Sequence, residues 1–140
     1  MGERKEKKRR RMSFGTRTRM SWVLDLANLL MDEHGFGRSD ALTTAHATWD
    51  LLEVMGIGHV EFTYIKDDGS VRKAIGTLCP ELIPEDKKSK GDKDPRKVKW
   101  PRVEFSYYDM EKQGWRTFKA SGLVLKDKHR EVLTNTNDTN

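Results

Sequence analysis

The sequence predicts an α+β protein in which an N-terminal helical hairpin packs on a small five-stranded β-barrel, with disordered segments at both ends. Two stretches between residues 21 and 56 repeat apolar residues at helical spacing, and the period changes to two after residue 57. Both ends of the chain are polar or charged and show no apolar periodicity. A chain of 140 residues forms one domain of ordinary size.

Residues 21–56 predict two amphipathic helices joined by a short glycine-containing link. Ser21 is the predicted N-cap of the first helix, and Gly35 and Gly37 are expected to end it. Ser39 is the predicted N-cap of the second helix, and Gly56 and Gly58 are expected to end it. The two apolar faces carry the tryptophans expected to anchor the hairpin, together with aliphatic residues: Trp22, Val23, Leu26, Leu29 and Leu30, then Leu42, Ala45, Trp49, Leu52 and Met55.

Residues 57–126 predict five short strands. Val60, Phe62 and Tyr64 alternate with polar residues, and Asp67-Asp68-Gly69 predicts a hairpin turn into a second strand that ends at Leu78. Residues 79–101, with several prolines and many lysines and arginines, predict a long exposed loop. The remaining strands are predicted at Val103–Tyr107, Trp115–Ala120 and Leu123–Lys126. A barrel suits five strands because closure removes the exposed sheet edges.

The positive charge is concentrated at the amino terminus. The net charge of the chain is +5, and the rest of the chain beyond residue 12 carries equal numbers of basic and acidic residues. Residues 1–20 are therefore predicted to be a disordered basic arm, and residues 127–140 a disordered polar tail. The cations of the arm are expected to bind nucleic-acid phosphates, and they are Arg4, Lys5, Lys7, Lys8, Arg9, Arg10 and Arg11.

Three segments together resemble a known family. They are Phe62–Leu78 (FTYIKDDGSVRKAIGTL), Pro80–Pro84 (PELIP) and Phe105–Lys119 (FSYYDMEKQGWRTFK). The chain resembles, over roughly residues 39–125, the SH3 β-barrel fold-containing proteins of Bacteroidetes bacteria, their phages and mobile elements, which are described as WYL-like with an Sm-like barrel. The resemblance implies an SH3-like barrel and kinship with WYL ligand-sensing domains, in which aromatic and basic barrel residues line a ligand site.

The residues with catalytic chemistry show no pattern that predicts an enzyme. The four histidines have no metal-ligand spacing with one another or with Cys79, so neither a metal nor another cofactor is expected. His46 and Asp50 are four residues apart on one predicted helix, a spacing that permits a hydrogen bond, but a solvated helix face explains them more simply. One cysteine, no secretory signal and no long apolar run predict a cytoplasmic protein without membrane contact.

Basic and aromatic residues interleave on the predicted barrel. Aromatic rings stack on unpaired bases while lysine and arginine contact phosphates, so these residues predict a nucleic-acid surface: Arg72, Tyr108, Trp115, Arg116 and Lys119. Tyr64 and Tyr107 are in phase with Phe62 and Phe105 and are expected in the core, whereas Tyr108 is out of phase and expected to be exposed.

The predicted function is that of a non-catalytic, weakly selective nucleic-acid-binding accessory or regulatory protein of a phage or mobile element, whose partner is RNA or DNA. The alternative is a protein-interaction module, such as an inhibitor of a host defence or transcription component, that contacts a host protein through the helical hairpin or the loop.

Overall fold

A computed structural model describes residues 18–88, 94–97 and 102–125 of the chain. Two helices, α1 (Arg19–His34) and α2 (Arg38–Ile57), precede four strands, β1 (His59–Ile65), β2 (Val71–Thr77), β3 (Glu104–Asp109) and β4 (Gly114–Lys119). The predicted α+β class with a helical hairpin before an antiparallel sheet is therefore confirmed. The predicted arm up to residue 17 and the predicted tail lie outside the described residues.

Helix α1 begins before the predicted boundary. Thr18 is its N-cap, because the Thr18 hydroxyl accepts a hydrogen bond from the Ser21 backbone N–H at 3.2 Å. Ser21, the predicted cap, lies inside the first turn, and Arg19 and Met20 belong to the helix rather than to the arm. At the other end, Gly35 adopts a left-handed conformation with φ 70° and caps the helix as predicted.

Helix α2 begins before its predicted N-cap and ends at the second of its two predicted stops. It begins at Arg38, with Gly37 rather than Ser39 in the N-cap position. Of the two glycines predicted to end it, Gly56 is helical and Gly58 is the C-cap, directly after Ile57. A glycine lowers helix stability but does not end a helix whose remaining residues are held by packing, and Met55 immediately before it is fully buried.

The sheet has four antiparallel strands in the order β1-β2-β3-β4. Strands β1 and β2 pair along their full length, from His59 opposite Thr77 to Ile65 opposite Val71. Strands β3 and β4 also pair fully, but β2 meets β3 at only two residue pairs, Gly76 with Asp109 and Thr77 with Tyr108. The sheet therefore consists of two complete hairpins joined by a short contact.

The predicted fifth strand is wrong. After β4 the chain forms a 3-10 turn at Ala120–Gly122, and Leu123 then makes a single antiparallel bridge to Tyr64. The Val124 N–H also donates to the Thr63 carbonyl at 3.0 Å. At Gly122 a Cβ atom would lie 2.6 Å from the Ile65 carbonyl oxygen, so the close approach requires glycine. A short bridge on β1 thus takes the place of a full strand.

The hairpin turn between β1 and β2 matches the prediction. Gly69 has φ 90°, and its N–H donates to the Lys66 carbonyl at 2.8 Å. Gly69→Val is expected to lower the free energy of unfolding by about 1–2 kcal/mol, because a β-branched residue is strained at positive φ. Chemical denaturation measures the loss. The control is Gly56→Ala, at a helical glycine with open space around it, which should not destabilise the protein.

Hydrogen bonds from two tryptophans attach the described residues of the segment predicted as a long exposed loop to the rest of the protein. These residues form short 3-10 turns at Pro80–Leu82, Glu85–Lys87 and Pro95–Lys97. The Trp22 indole N–H donates to the Pro95 carbonyl at 3.3 Å, which holds the third turn against the helices. The Lys87 carbonyl accepts a hydrogen bond from Trp115 at 2.6 Å, which holds the second turn against β4.

One apolar core joins the helical hairpin to the sheet. Trp22 is 3% exposed and packs against Phe105 of β3 at 6.0 Å between ring centroids. Tyr64 and Tyr107, predicted as core residues, are both buried, and their hydroxyls hydrogen-bond each other at 2.8 Å. Trp49 is only partly buried and contacts Trp22 at 5.4 Å, so the predicted anchor of the hairpin is one layer away from the sheet.

Candidate nucleic-acid interface

A cleft of about 380 Å³ opens on the sheet between the β1–β2 hairpin and β4. It brings together four of the five barrel residues that the sequence singled out, and these are Arg72, Trp115, Arg116 and Lys119. Tyr64 and Phe118 of the core also line the cleft, as do Lys66 and Asp67 of the hairpin turn. The antiparallel order of the strands produces this grouping, because residues distant in the sequence become neighbours across the sheet.

Tyr108, the fifth predicted residue, does not line the cleft. The expectation that it is exposed is wrong, since Tyr108 is 2% exposed. The predicted alternation holds for Tyr107, which packs on Phe62 in the core at 5.1 Å between ring centroids. Tyr108 is buried as well because Trp115 covers it on the neighbouring strand, in an edge-on contact at 5.8 Å. Tyr108 therefore supports Trp115 instead of offering its own ring to a ligand.

Trp115 is the exposed aromatic residue of the cleft. Its side chain is 36% exposed, whereas Phe118 on the same strand is buried, as expected for residues on opposite faces. The indole N–H is held by the Lys87 carbonyl, and the Lys87 ammonium in turn donates to the Gln113 carbonyl at 3.1 Å. The ring is thus fixed by hydrogen bonding and by Tyr108, a suitable arrangement for a stacking platform.

Asp109 is the buried acid beneath the cleft, and sequence reasoning did not single it out. Its side chain is 1% exposed and accepts a hydrogen bond from the Arg72 guanidinium at 2.9 Å. Its other oxygen accepts from the backbone N–H groups of Glu111 and Lys112, at 3.0 and 2.9 Å. Burial acts to raise the pKa of Asp109, but the bonds from Arg72 and the two N–H groups outweigh burial and lower it.

Two guanidinium groups converge on the same carboxylate. Besides Arg72, the Nε atom of Arg116 lies 3.8 Å from the Asp109 oxygen that binds Arg72. The hydrogen bond to Asp109 raises the pKa of Arg72 despite partial burial, so this guanidinium stays charged. Among the described residues, Arg72 Nε is the one buried side-chain nitrogen or oxygen that lacks a hydrogen-bond partner.

Tyr107, below Arg72, is neutral. Burial, followed by the hydrogen bond with Tyr64, raises the pKa of Tyr107 far above its ordinary value. Tyr107 therefore supplies a polar contact inside the barrel without adding negative charge near the arginines.

The rim of the cleft carries both signs of charge. Lys119 pairs with Asp67 at 3.1 Å, but both side chains are exposed and the pair contributes little to stability. Lys66 adds a cation and Glu104 a carboxylate. The lining residues thus comprise four cations, Lys66, Arg72, Arg116 and Lys119, against two surface carboxylates, and the buried Asp109 contacts Arg72 from outside the lining.

The arm residues predicted to bind phosphates lie outside the described residues, so the structure does not bear on them. They are Arg4, Lys5, Lys7, Lys8, Arg9, Arg10 and Arg11.

His46 and Asp50 share a partner on α1. Arg19 donates to the Nδ1 atom of His46 at 3.2 Å and to the Asp50 carboxylate at 2.8 Å. The spacing of the two residues on α2 thus allows both side chains to contact Arg19 on α1. Within the described part of the chain, no group of three His, Cys, Asp or Glu residues is placed to hold a metal ion. The helices described there also lack the length and apolar character needed to cross a membrane.

The fold and the cleft together define a small antiparallel β-barrel domain preceded by a helical hairpin. Residues 48–124, more than half of the chain, match the WYL_2 family, described as an Sm-like SH3 beta-barrel fold. The chain belongs to this family, and the match includes the four strands and every cleft residue named above. Comparisons with curated proteins and with solved structures gave no match.

Proposed function

We propose that this chain is a non-catalytic nucleic-acid-binding accessory or regulatory protein of a phage or mobile element, acting in the cytoplasm. One observation carries the proposal. Arg72, Trp115, Arg116 and Lys119, chosen from the sequence for their chemistry, line one cleft. A fixed indole beside several cations suits an unpaired base with its phosphate. The partner of this protein is RNA or DNA, which the protein binds with weak sequence selectivity.

The proposal assigns different tasks to the arm and to the cleft. The cleft offers a small surface whose positive charge is partly offset by Asp67, Glu104 and Asp109. Such a surface supplies selectivity for unpaired strands more readily than affinity. Seven cations in residues 1–12 offer a larger electrostatic contribution, because each phosphate contact releases bound counterions.

Deleting residues 1–12 is expected to remove most of the non-specific affinity. The slope of log K against log salt concentration should flatten by about 0.9 for each phosphate contact of the arm on duplex DNA. Titrations of labelled single- and double-stranded DNA and RNA at several salt concentrations measure both quantities. The protein must first be purified at high salt to remove bound nucleic acid.

A full-length variant with the seven arm cations replaced by glutamine is the matched control. It keeps the chain length and removes only the charge, so it should behave like the deletion. If the deletion and the glutamine variant both bind with an unchanged salt slope, the arm does not carry the contact. If the intact protein binds no nucleic acid at low salt, the proposed function is wrong.

The alternative, a protein-interaction module that acts on a host protein, is favoured by apolar residues on the outer surface of the helices. Met20 and Leu24 are exposed one turn apart on α1, and Ile57 at the end of α2 is 81% exposed. Exposed apolar side chains of this size are typical of protein-contact surfaces when they cluster. A single dominant partner in a pull-down, lost in a Leu24→Glu variant, would favour this function.

A further inference from the structure

The size of the cleft limits what can enter it. A volume of about 380 Å³ lies near the lower end of the range for small-molecule sites, about 300–1,000 Å³. A site of this size accepts a group about as large as one nucleotide. A duplex cannot enter it, and a continuous strand would require a groove that extends across several bases. The cleft therefore fits one unpaired nucleotide better than the middle of a strand.

Beneath the cleft, the positive charge of two arginines exceeds the negative charge that is available to neutralise it. Arg72 and Arg116 both approach one oxygen of Asp109, at 2.9 and 3.8 Å, so two guanidinium groups share one carboxylate. The longer distance exceeds that of a hydrogen bond, and the Arg116 side chain is 42% exposed. Arg72 Nε is buried without an acceptor, which is rare for a charged donor.

Because the Arg72 Nε atom is buried, an anion in the cleft does not reach it. An oxyanion bound between the two arginines would instead balance the remaining positive charge of the pair. Arginine binds phosphate well because its planar group donates two parallel hydrogen bonds. Phosphate monoesters carry a charge of about −1.5 to −2 and three free oxygens, whereas a diester within a strand carries a single charge. The arginine pair therefore favours the monoester.

We propose that the cleft binds the phosphorylated end of a single strand, with the terminal phosphate between Arg72 and Arg116 and the terminal base against Trp115. The inference rests on the proposed function and adds to it the part of the nucleic acid that is recognised. Trp115 and the half-exposed Ile65 both line the cleft and give the base an apolar surface. Lys119 lies on the rim, where it can contact the next phosphate once Asp67 releases it.

Fluorescence anisotropy of the full chain with short single-stranded DNA tests the proposal. Oligonucleotides of one sequence carry a phosphate or a hydroxyl at the 5′ end, with the dye at the 3′ end, and a second set reverses the ends. One of the two phosphorylated ends should bind about tenfold more tightly than its hydroxyl counterpart, the effect of about one additional charged hydrogen bond. Adenosine 5′-monophosphate and adenosine, added as competitors, distinguish a strand end from a free nucleotide.

Two variants that each remove one positive charge test whether the preference for the phosphorylated end depends on the cleft. Arg116→Gln should abolish the preference for the phosphorylated end. Lys73→Gln, at an exposed position next to Arg72 on β2 but outside the cleft, should retain it.

Three results would overturn the proposal, each in a different way. Equal binding of phosphate and hydroxyl ends with a steep salt dependence would leave the proposed function standing and remove the strand-end inference. Binding of the monophosphate without binding of either phosphorylated strand would make the cleft a site for free nucleotides. Absence of binding to any strand at low salt would remove the proposed function, and the inference with it.

Discussion

Replacing Asp109 by alanine is expected to lower the free energy of unfolding by about 3–5 kcal/mol, because removal of one partner of a buried ion pair leaves the other uncompensated. Asp109 accepts hydrogen bonds from Arg72 and from two backbone N–H groups in the turn before β4. Its loss would therefore leave a partly buried guanidinium without its carboxylate and the turn without its acceptor. Chemical denaturation monitored by tryptophan fluorescence measures the change.

Two further variants separate the ion pair from the turn. Asp109→Asn keeps an oxygen that can accept from the N–H groups of Glu111 and Lys112 but removes the negative charge, so it should cost less than alanine. The double variant Arg72→Met with Asp109→Ala removes both charges and should be more stable than the sum of the single effects predicts. A loss below 1 kcal/mol in Asp109→Ala would show that this ion pair does not hold the β3–β4 turn.

The same carboxylate predicts a dependence of stability on pH. Because folding lowers the pKa of Asp109, its contribution is present above the unfolded-state value of about 3.9 and is lost as the pH falls through the lower folded-state value. The difference in unfolding free energy between the wild type and Asp109→Asn should therefore be constant from pH 7 to pH 5. It should shrink as the pH is lowered below about 4.

Much of the fold could be predicted because the apolar period differs between helix and strand. Phe62 and Tyr64 alternate along β1, whereas Leu26 and Leu30 lie one helical turn apart on α1, and both patterns depend only on residues close in sequence. The helix boundaries were harder to predict, since Thr18 and Ser21 are both suitable caps. The choice between them depends on where the packed face of the helix begins.

The predicted fifth strand failed for a reason that local sequence does not contain. Leu123 and Val124 are suitable strand residues, and they do contact β1. Before this contact the chain forms the 3-10 turn that ends at Gly122, whose backbone lies directly against Ile65. Such a close approach depends on the position of β1 in the folded protein.

In the candidate site, too, features that depend on local sequence could be predicted, and features that depend on the tertiary fold could not. Residue chemistry sufficed to select Arg72, Trp115, Arg116 and Lys119, but it could not show which face of β3 is covered. Tyr108 was misplaced because its cover, Trp115, comes from the neighbouring strand. Asp109 was overlooked, although an aspartate at the end of an alternating strand and directly before a turn is a useful signal for a carboxylate that binds turn N–H groups.

The junction between the helical hairpin and the sheet supports the second large prediction. Trp22→Ala is expected to lower the free energy of unfolding by about 3–5 kcal/mol, as for other large aromatic residues removed from a core. Trp22 is buried, contacts Phe105 on β3 and donates to the Pro95 carbonyl. The sequence pattern predicts both Trp22 and Trp49 as anchors of the hairpin, but the structure places Trp22 between Trp49 and the sheet.

Trp49→Ala is the matched comparison, because it removes the same side chain from the same aromatic pair. Trp49 is only partly buried, and its ring also lies 4.9 Å from the Arg96 guanidinium, a contact worth about 0.5–1 kcal/mol at an exposed site. We therefore expect the loss in free energy of unfolding to be at least about 1 kcal/mol smaller for Trp49→Ala than for Trp22→Ala. Trp22→Phe keeps the ring contact with Phe105 but loses the N–H donor. It should lower the free energy of unfolding by less than Trp22→Ala does. If Trp49→Ala is the more damaging substitution in reversible denaturation, Trp49 and not Trp22 joins the hairpin to the sheet.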